Sequence, residues 1–376
     1  MTSFLIADWY PLGKDSYFRK FEVYNMSWSA DVSLKSVILT CASFGGPIAV
    51  MRDRSKIVKV QGSGKPVIAI YTSSGKLISS LVWNSGQLLQ LGWSSTEDLL
   101  CVQEDGAVLM YDMFAKYIHT FKMDKEVEDT KAIQAIIFRS SVGTGVAVLT
   151  MAYRVFLVNN VKDAKVRRLS KLPGPFAAVN AWTVVSGERF THVLIARGKD
   201  LFLLNESEHA QLQYVDFGDE ETTIVAMEVS PGYRQIAFLN RSGKLWIGSI
   251  DLRKKYRIFD THHIPQYQMP KEIAWCGLDA VVLSWETSIT VVGCYEDSIN
   301  YMYDDHVHLV QEMDCVRIIS SDSQELLQKV PQVVQDIFRI NSTSPSSYLL
   351  EASKHFQKRS HHANEYIHLV QNKLNY

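Results

Sequence analysis

The sequence predicts an all-β protein, a seven-bladed WD40-like β-propeller that is followed by a short α-helical extension. The first observation is a stretch at 91–121 in which four short apolar runs are separated by turn residues. The second is that this pattern recurs. The first strand of the repeat can be anchored at five positions with separations of 45, 44, 47 and 46 residues: Trp93, Phe138, Trp182, Val229 and Trp275. Four strands every 40–45 residues is the repeat of a propeller blade.

The chain before these units supplies one isolated strand and one further blade. Residues 17–26 form a single predicted strand, and two predicted hairpins follow at 37–51 and 67–83. After the five anchored units, the remainder at 308–330 contains only three strands. We therefore expect the strand near 17–26 to complete the last blade, which closes the ring and removes the free sheet edges. The predicted propeller domain covers residues 1–331.

Within the stretch 91–121, Glu104-Asp105-Gly106 separates the second run from the third. Gly106 can adopt the positive φ that a tight hairpin requires. Glu104 and Asp105 have the residue types of a catalytic carboxylate pair, but a turn between two strands explains them better. The sequence therefore predicts a structural turn here, with Gly106 as its key residue.

After Pro331 the pattern changes from strands to helices. Ser344 and Pro345 have the residue types of a helix N-cap and first helical position. Apolar residues then follow at helical spacing from 348 to 374. Residues 332–376 are therefore predicted to form the start of an α-solenoid that is truncated here.

Composition indicates a soluble, well-packed globular protein, with 47% hydrophobic and 21% charged residues and a formal net charge of −1. A charge so close to zero argues against nucleic acid as a partner, because phosphate binding needs a basic excess. The five cysteines form no CxxC pair and are expected to be mostly buried free thiols. No signal peptide and no apolar run long enough to span a membrane is present, so we expect a cytosolic protein.

The sequence offers no pattern expected of an active site. Histidines lie close together at 262–263, 306/308 and 361–362, without further ligands at the spacing of a motif such as HExxH. An enzyme built on this fold needs acidic or histidine residues on several first strands, which here are apolar with Glu228 as the exception. We therefore predict a non-enzyme without catalytic, cofactor-binding or metal-ligating residues, and a propeller-based hydrolase is the disfavoured alternative.

Two basic runs, at 162–171 and 253–257, fall where outer strands or connections between blades are expected. The favoured interpretation is a solvated sheet edge on which charge blocks strand pairing. The alternative is an interaction patch for an acidic partner surface or for anionic lipid headgroups. Its residues are Arg253, Lys254, Lys255 and Arg257.

Several long stretches resemble a single family. They are YPLGKDSYFRKFEVYNMSW, FGGPIAVMRD, LGWSSTEDLLCVQEDGAVLMYD, EIAWCGLDAVVLSWE, DCVRIISSDSQELLQKVP and YLLEASKHFQKRSHHANEYI. In these stretches, which extend over essentially residues 5–370, the chain is similar to the N-terminal propeller of the class C vacuolar protein-sorting subunit sixteen family.

This resemblance implies a core subunit of the HOPS and CORVET tethering complexes, which act in vesicle tethering, endosome-to-lysosome (vacuole) transport, membrane fusion and autophagosome maturation. The implied partners are other tethering subunits, a Sec1/Munc18-type subunit held by the solenoid, and, indirectly, SNAREs and Rab GTPases. The implied location is cytoplasmic and peripheral on late endosomes and lysosomes or vacuoles. The chain is expected to be an N-terminal fragment that lacks the residues holding the Sec1/Munc18-type subunit. The resemblance carries over no catalytic or partner-binding residue, and a propeller scaffold of another coat or trafficking complex is the alternative.

Overall fold

A computed structural model describes residues 8–14, 16–29, 32–53, 65–218, 221–263, 269–294 and 297–374. Contacts divide the chain into two compact units, one of residues 22–326 and one of residues 1–21 and 327–376. The described strands form seven antiparallel sheets, the blades of a β-propeller. The predicted fold class and blade number are therefore confirmed.

The first two strands of the chain are β1 (Trp9–Pro11) and β2 (Tyr17–Asn25). Six four-stranded blades follow in chain order. Their strands are β3 (Val37–Cys41), β4 (Ile48–Arg52), β5 (Val67–Tyr71) and β6 (Leu77–Val82); β7 (Leu88–Trp93), β8 (Leu99–Gln103), β9 (Ala107–Tyr111) and β10 (Tyr117–Lys122); β11 (Ala132–Ser140), β12 (Gly143–Thr150), β13 (Val155–Val158) and β14 (Arg167–Arg168); β15 (Ala181–Ser186), β16 (Thr191–Arg197), β17 (Asp200–Leu204) and β18 (Gln211–Gln213); β19 (Ile224–Val229), β20 (Gln235–Asn240), β21 (Lys244–Ser249) and β22 (Lys255–Asp260); β23 (Glu272–Cys276), β24 (Ala280–Ser284), β25 (Ser288–Gly293) and β26 (Ser298–Met302).

The seventh sheet combines strands from both ends of the chain. Its last three strands are β27 (His308–Gln311), β28 (Cys315–Ile319) and β29 (Ser323–Lys329), and β2 lies beside β29 with β1 outside it. Val330 N donates to Tyr17 O at 2.7 Å and Met26 N donates to Asp322 O at 2.8 Å, so β2 runs antiparallel to β29. The N-terminal strand therefore occupies the fourth position of this blade.

The core lies between neighbouring blades, because the middle strands of each sheet are buried on both faces. Every residue of β8 and β24 is buried, for example, whereas β10 keeps Tyr117 and Ile118 exposed at its outer edge. Middle strands buried on both faces need continuous apolar runs rather than alternation. Such runs are the feature of the sequence that makes the blades recognisable.

The tryptophan anchors of the repeat join each blade to the one before it. All five anchor residues lie on the first strand of their blade and are at most 8% exposed. The indole Nε1 of Trp93 donates to Thr40 O at 3.2 Å, and that of Trp275 donates to Glu228 O at 2.9 Å. Trp182 Nε1 likewise donates to the side chain of Gln134 at 2.6 Å. Tryptophan suits this position because its ring fills the gap between blades while its N–H reaches a polar partner.

A short helix, α1 (Lys125–Thr130), connects the second blade to the third and was not predicted from the sequence. The Asp124 side chain caps it by accepting from Glu126 N at 2.8 Å, and its Val127 is fully buried. These six residues include only one apolar residue and therefore show no helical periodicity. The sequence pattern for this reason does not predict the helix.

Three helices follow the propeller strands: α2 (Gln332–Phe338), α3 (Pro345–Gln357) and α4 (His362–Leu374). Ser344 Oγ accepts from Ser347 N at 3.2 Å and Pro345 is the first helical residue, as the sequence indicates. The rings of Tyr348 and Tyr366 lie 6.4 Å apart and Lys373 Nζ donates to Thr343 O, so α3 and α4 form an antiparallel hairpin. Among the described helices, none combines the length and apolarity needed to cross a bilayer.

Candidate functional site in the central cavity

A cavity of about 270 Å³ lies where non-neighbouring blades come together. Blades that are separated along a closed ring meet only around its axis, so this cavity marks the centre of the propeller. Its walls come from the first strands of several blades and the turns beside them. The lining residues are Ser43, Phe44, Ile136, Ile137, Phe138, Arg139, Thr183, Val184, Glu228, Val229, Ser230, Pro231, Tyr233, Gln311, Glu312 and Met313.

Glu228 is the carboxyl group that the sequence pattern singles out, and it lines this cavity. It lies on β19 and is half-buried. Among the described residues, none donates a hydrogen bond to its carboxylate or forms an ion pair with it. Burial raises the pKa of Glu228 to about 8, and no cation in the described part of the chain offsets the effect. A carboxyl group with this pKa stays largely protonated at neutral pH.

Glu312, the second carboxyl of the cavity, is already engaged. Its Oε1 lies 2.8 Å from Arg317 Nε, and its Oε2 accepts from Phe44 N at 2.8 Å. Both side chains of the pair are almost fully buried, at 5% and 1% exposed. Arg317 also donates to Ala42 O, so the pair joins the seventh blade to the first. Removing one partner of such a pair leaves an uncompensated buried charge, and this arrangement is therefore structural.

Arg139 lies on the exposed side of the lining, which is the mouth of the cavity, and Tyr233 lies beside it. The Tyr233 hydroxyl donates to Arg139 O at 2.6 Å, and burial raises the pKa of Tyr233 to about 12, so it is a hydrogen-bond donor rather than a base. Its backbone has φ +52°, a conformation that costs a non-glycine residue about 1 kcal/mol. The guanidinium of Arg139 is exposed and its Nη1 lies 3.4 Å from Met313 Sδ.

Gln311 fixes the first strands of three blades around the cavity. Its Oε1 accepts from Trp275 N at 2.7 Å and its Nε2 donates to Val229 O at 3.0 Å. The side chain thus links β27 to β23 and β19. Sequence patterns did not indicate Gln311, Arg139 or Tyr233, because their roles depend on strands far apart in the chain.

The basic residues at 253–257 lie on the outermost strand of the fifth blade and on the turn before it. Lys255 Nζ lies 3.3 Å from Asp216 Oδ2, and Arg253 Nε lies 3.8 Å from Asp251 Oδ2. These side chains are 44% and 88% exposed, so the pairs are weak and solvated. Two of the predicted patch residues therefore have acidic neighbours.

The other two residues of this run have different surroundings. Lys254 Nζ lies over the ring of Tyr256, 5.2 Å from its centroid. Arg257 donates from Nη1 to Gly293 O at 2.9 Å and Asp297 O at 2.7 Å in the next blade. The structure thus places the four residues along one edge but gives Arg257 a role between blades.

Glu272, His306 and His308 are close enough together for a metal ion, but hydrogen bonds occupy the ligand atoms of Glu272 and His308. His308 Nδ1 lies 2.9 Å from Glu272 Oε1, and its Nε2 lies 3.0 Å from Leu34 O. The second oxygen of Glu272 accepts from Leu309 N at 2.7 Å. A ring whose two nitrogens both face acceptors presents no lone pair to a metal. This cluster stabilises the junction of blades.

His361, His362 and Glu365 form a second such group, which is exposed at the start of α4. His362 Nδ1 lies 2.9 Å from Glu365 Oε2, and the His361 and His362 rings lie 4.0 Å apart. Exposed imidazole and carboxylate groups at the end of a helix commonly lie this close together without a metal ion, so their proximity does not indicate a metal site. His262, from the remaining histidine pair, lies beside Asp260 with 2.8 Å between Nδ1 and Oδ1.

The cysteines have the environment of packing residues. All five lie in the described residues and none of them forms a disulfide, and all except the half-buried Cys41 are buried. Burial raises the pKa of Cys41 and of Cys315 to about 12. A thiol with so high a pKa is a poor nucleophile at neutral pH.

Comparison with protein families identifies relatives along the whole chain. Residues 5–376 match the model "Vps16, N-terminal region". The chain is 34% identical over 375 residues to the vacuolar protein sorting-associated protein 16 homolog of Drosophila melanogaster, covering 98% of this chain and 44% of that protein. It is 31% identical over 398 residues to protein VACUOLELESS1 of Arabidopsis thaliana, covering 100% and 46%. The chain thus spans less than half the length of these relatives.

Solved structures with a similar fold include β-propeller domains. The β-propeller domain of Cps50 (Swd1) from Myceliophteria thermophila superposes with a TM-score of 0.52 at 9% identity, covering 84% of this chain and 100% of that one. The BBS1N chain crystallised with ARL6DN gives a TM-score of 0.54 at 12% identity, covering 84% and 98%. At these identities the likeness concerns the fold alone.

Proposed function

The chain belongs to the Vps16 family, and we propose that it is a non-enzymatic scaffold and interaction module in vacuolar protein sorting. In this proposal the propeller is part of a complex that tethers endosomal, lysosomal or vacuolar membranes before SNARE-mediated fusion, and it supports endosome-to-lysosome transport and autophagosome maturation. The partners are other subunits of HOPS- and CORVET-type complexes, a Sec1/Munc18-type subunit and, indirectly, SNAREs and Rab GTPases. The protein acts on the cytoplasmic side, peripherally on late endosomes and lysosomes or vacuoles.

The observation that carries this proposal is the match to the Vps16 N-terminal region over nearly the whole chain. The chemistry of the central cavity supports a binding role over a catalytic one. Glycoside hydrolysis and related acid–base chemistry use two carboxyl groups with separate roles. Glu312 is held by Arg317, which leaves Glu228 without a second group of this kind in the cavity.

Affinity purification of the tagged full-length protein from cells, followed by mass spectrometry, tests this proposal. We expect tethering subunits and a Sec1/Munc18-type protein to be recovered, and a tagged propeller from an unrelated family serves as the parallel control. Recovery of neither class above the control would contradict the proposed function.

A further inference from the structure

The further inference concerns what the central cavity binds. Glu228 lies in a cavity whose other walls are largely apolar or already hydrogen-bonded. We propose that this cavity receives the side chain of a lysine or arginine from a partner protein, with Glu228 as its counter-charge. The proposal rests on the proposed function to the extent that the ligand is a segment of a binding partner.

Charge complementarity favours a cation as the occupant. An ionised carboxylate that is partly removed from water without a donor or cation partner is costly, and a cation entering beside it offsets part of that cost. The resulting charge-assisted hydrogen bond is shorter and stronger than a neutral one. The methylene groups of a lysine or arginine side chain would at the same time contact the apolar walls formed by Ile137, Val184 and Val229.

The size and the ligand atoms of the cavity argue for a side chain rather than a metal ion or a cofactor. A volume of about 270 Å³ is close to the lower end of the range of about 300–1,000 Å³ that is typical of small-molecule pockets, so the cavity suits a small group. Magnesium and calcium need several oxygen ligands, and here Glu312 is already bound to Arg317. One available carboxyl group beside apolar lining residues suits a single charged side chain.

The residues at the mouth of the cavity predict which residues flank the lysine or arginine in the bound segment of the partner. Phe44 and Met313 are 71% and 45% exposed there and offer apolar contact area. Arg139 is exposed at the same mouth and repels a second cation. We therefore expect the segment to carry an acidic residue near its basic one, so that it pairs with Arg139.

The position of Glu228 makes this binding dependent on pH. The other charged or titratable groups that face the cavity are Arg139, Glu312 and Tyr233, of which Glu312 is held by Arg317 and Tyr233 has a pKa of about 12. Because burial raises the pKa of Glu228 to about 8, binding a cation expels a proton. Affinity is therefore expected to increase about 25-fold from pH 6.5 to pH 8.5, in proportion to the ionised fraction of Glu228.

The test uses the 376-residue chain and four small probes. N-acetyl-arginine amide and N-acetyl-lysine amide carry the charge, whereas N-acetyl-citrulline amide and N-acetyl-norleucine amide are matched neutral controls. Saturation-transfer NMR is expected to show binding of at least one charged probe with a dissociation constant of about 1–10 mM at pH 8. Glu228→Gln should weaken that binding about tenfold or more. Glu188→Gln, a substitution at an exposed position, should leave it unchanged.

Three results would overturn the proposal: no binding of either charged probe, equal binding of the neutral probes, or equal binding to Glu228→Gln protein that retains its fold by circular dichroism. These results leave the proposed function intact, because recovery of tethering subunits is measured separately. Conversely, a purification that recovers no tethering subunit leaves the probe measurement valid. The two failures are therefore distinguishable.

Discussion

Glu228 combines a fixed position at the centre of the ring with a carboxyl group that is unpaired among the described residues. The folded protein holds its proton up to a pH of about 8, whereas an unfolded glutamate releases it near 4.5. Between these values the folded state binds more protons than the unfolded state, so stability decreases as pH rises through this window. The carboxyl group is thus a local cost to the fold at neutral and alkaline pH.

The substitution Glu228→Gln should remove this cost, because the amide has nearly the same shape and does not ionise. We expect the variant to be more stable than the parent by at least about 1 kcal/mol at pH 8, with the difference disappearing towards pH 4.5. Denaturant unfolding at both pH values measures it. The exposed-site variant Glu188→Gln should match the parent at both, and a Glu228→Gln protein without a pH-dependent gain would show that the carboxyl group is solvated.

Gly106 illustrates how backbone conformation and packing act together at one residue. It has φ +81°, and a Cβ atom there would lie 2.8 Å from Val127 Cγ1 and 3.2 Å from Met123 Cβ. We expect Gly106→Val to destabilise the protein by about 2–4 kcal/mol, through backbone strain and overpacking against α1. Thermal unfolding monitored by circular dichroism measures the loss.

Gly198 provides the matched control, since it lies in the equivalent turn between β16 and β17 with φ +60°. A Cβ there meets no described atom within 4 Å other than its chain neighbours. Gly198→Val should therefore cost about 1–2 kcal/mol, from backbone strain alone. Equal losses at the two glycines would refute the contribution of packing against α1.

At the scale of elements, strand β22 and the turn before it carry the basic run at 253–257. The neighbouring Asp251 and Asp216 already offset Arg253 and Lys255. We expect reversal of Arg253, Lys254 and Lys255 to glutamate to change the binding of tethering subunits and of phosphatidylserine-containing liposomes less than twofold, because solvated pairs contribute little. Co-sedimentation and co-purification measure these quantities. A clear loss of either interaction would instead establish the run as a contact surface.

Elements with continuous apolar runs were predictable from the sequence, whereas short or polar ones were not. The buried middle strands such as β8 and β20 stand out because burial on both faces requires consecutive apolar residues. In contrast, β14 contains only Arg167–Arg168 and β1 only three residues, so neither has a period to detect. Local patterns identify elements only where the core dictates several consecutive residues.

Only one residue of the candidate site, Glu228, could be predicted from the sequence. Glu228 stands out as a carboxyl group on an otherwise apolar first strand. Its immediate neighbours in the sequence are enough to show this. Its neighbours Arg139 and Gln311 come from blades about 90 and 80 residues away in sequence, where only the closed ring brings them together. Arg317 offered a weaker signal, as one charged residue within the apolar strand β28.

At the scale of the whole molecule, ring closure determines whether the blades stabilise one another. The last blade has three strands from the end of the propeller, and β2 supplies the position beside β29. Without residues 17–26, the edge of β29 would be open, and the backbone groups of Asp322 and Val330 at its two ends would lose their partners Met26 and Tyr17. Blades in an open ring lose part of the cooperativity that mutual contact provides.

Deletion of residues 1–26 should therefore lower both the stability of the propeller and the cooperativity of its unfolding. We expect a lower denaturant midpoint and a broader transition, because β29 would lose its partner strand, including the hydrogen bond from Met26 N to Asp322 O. A matched deletion of residues 1–8, which ends before β1, is the control and should leave the midpoint unchanged. If the 1–26 deletion unfolds as sharply and at the same denaturant concentration as the parent, the N-terminal strand is dispensable for closure.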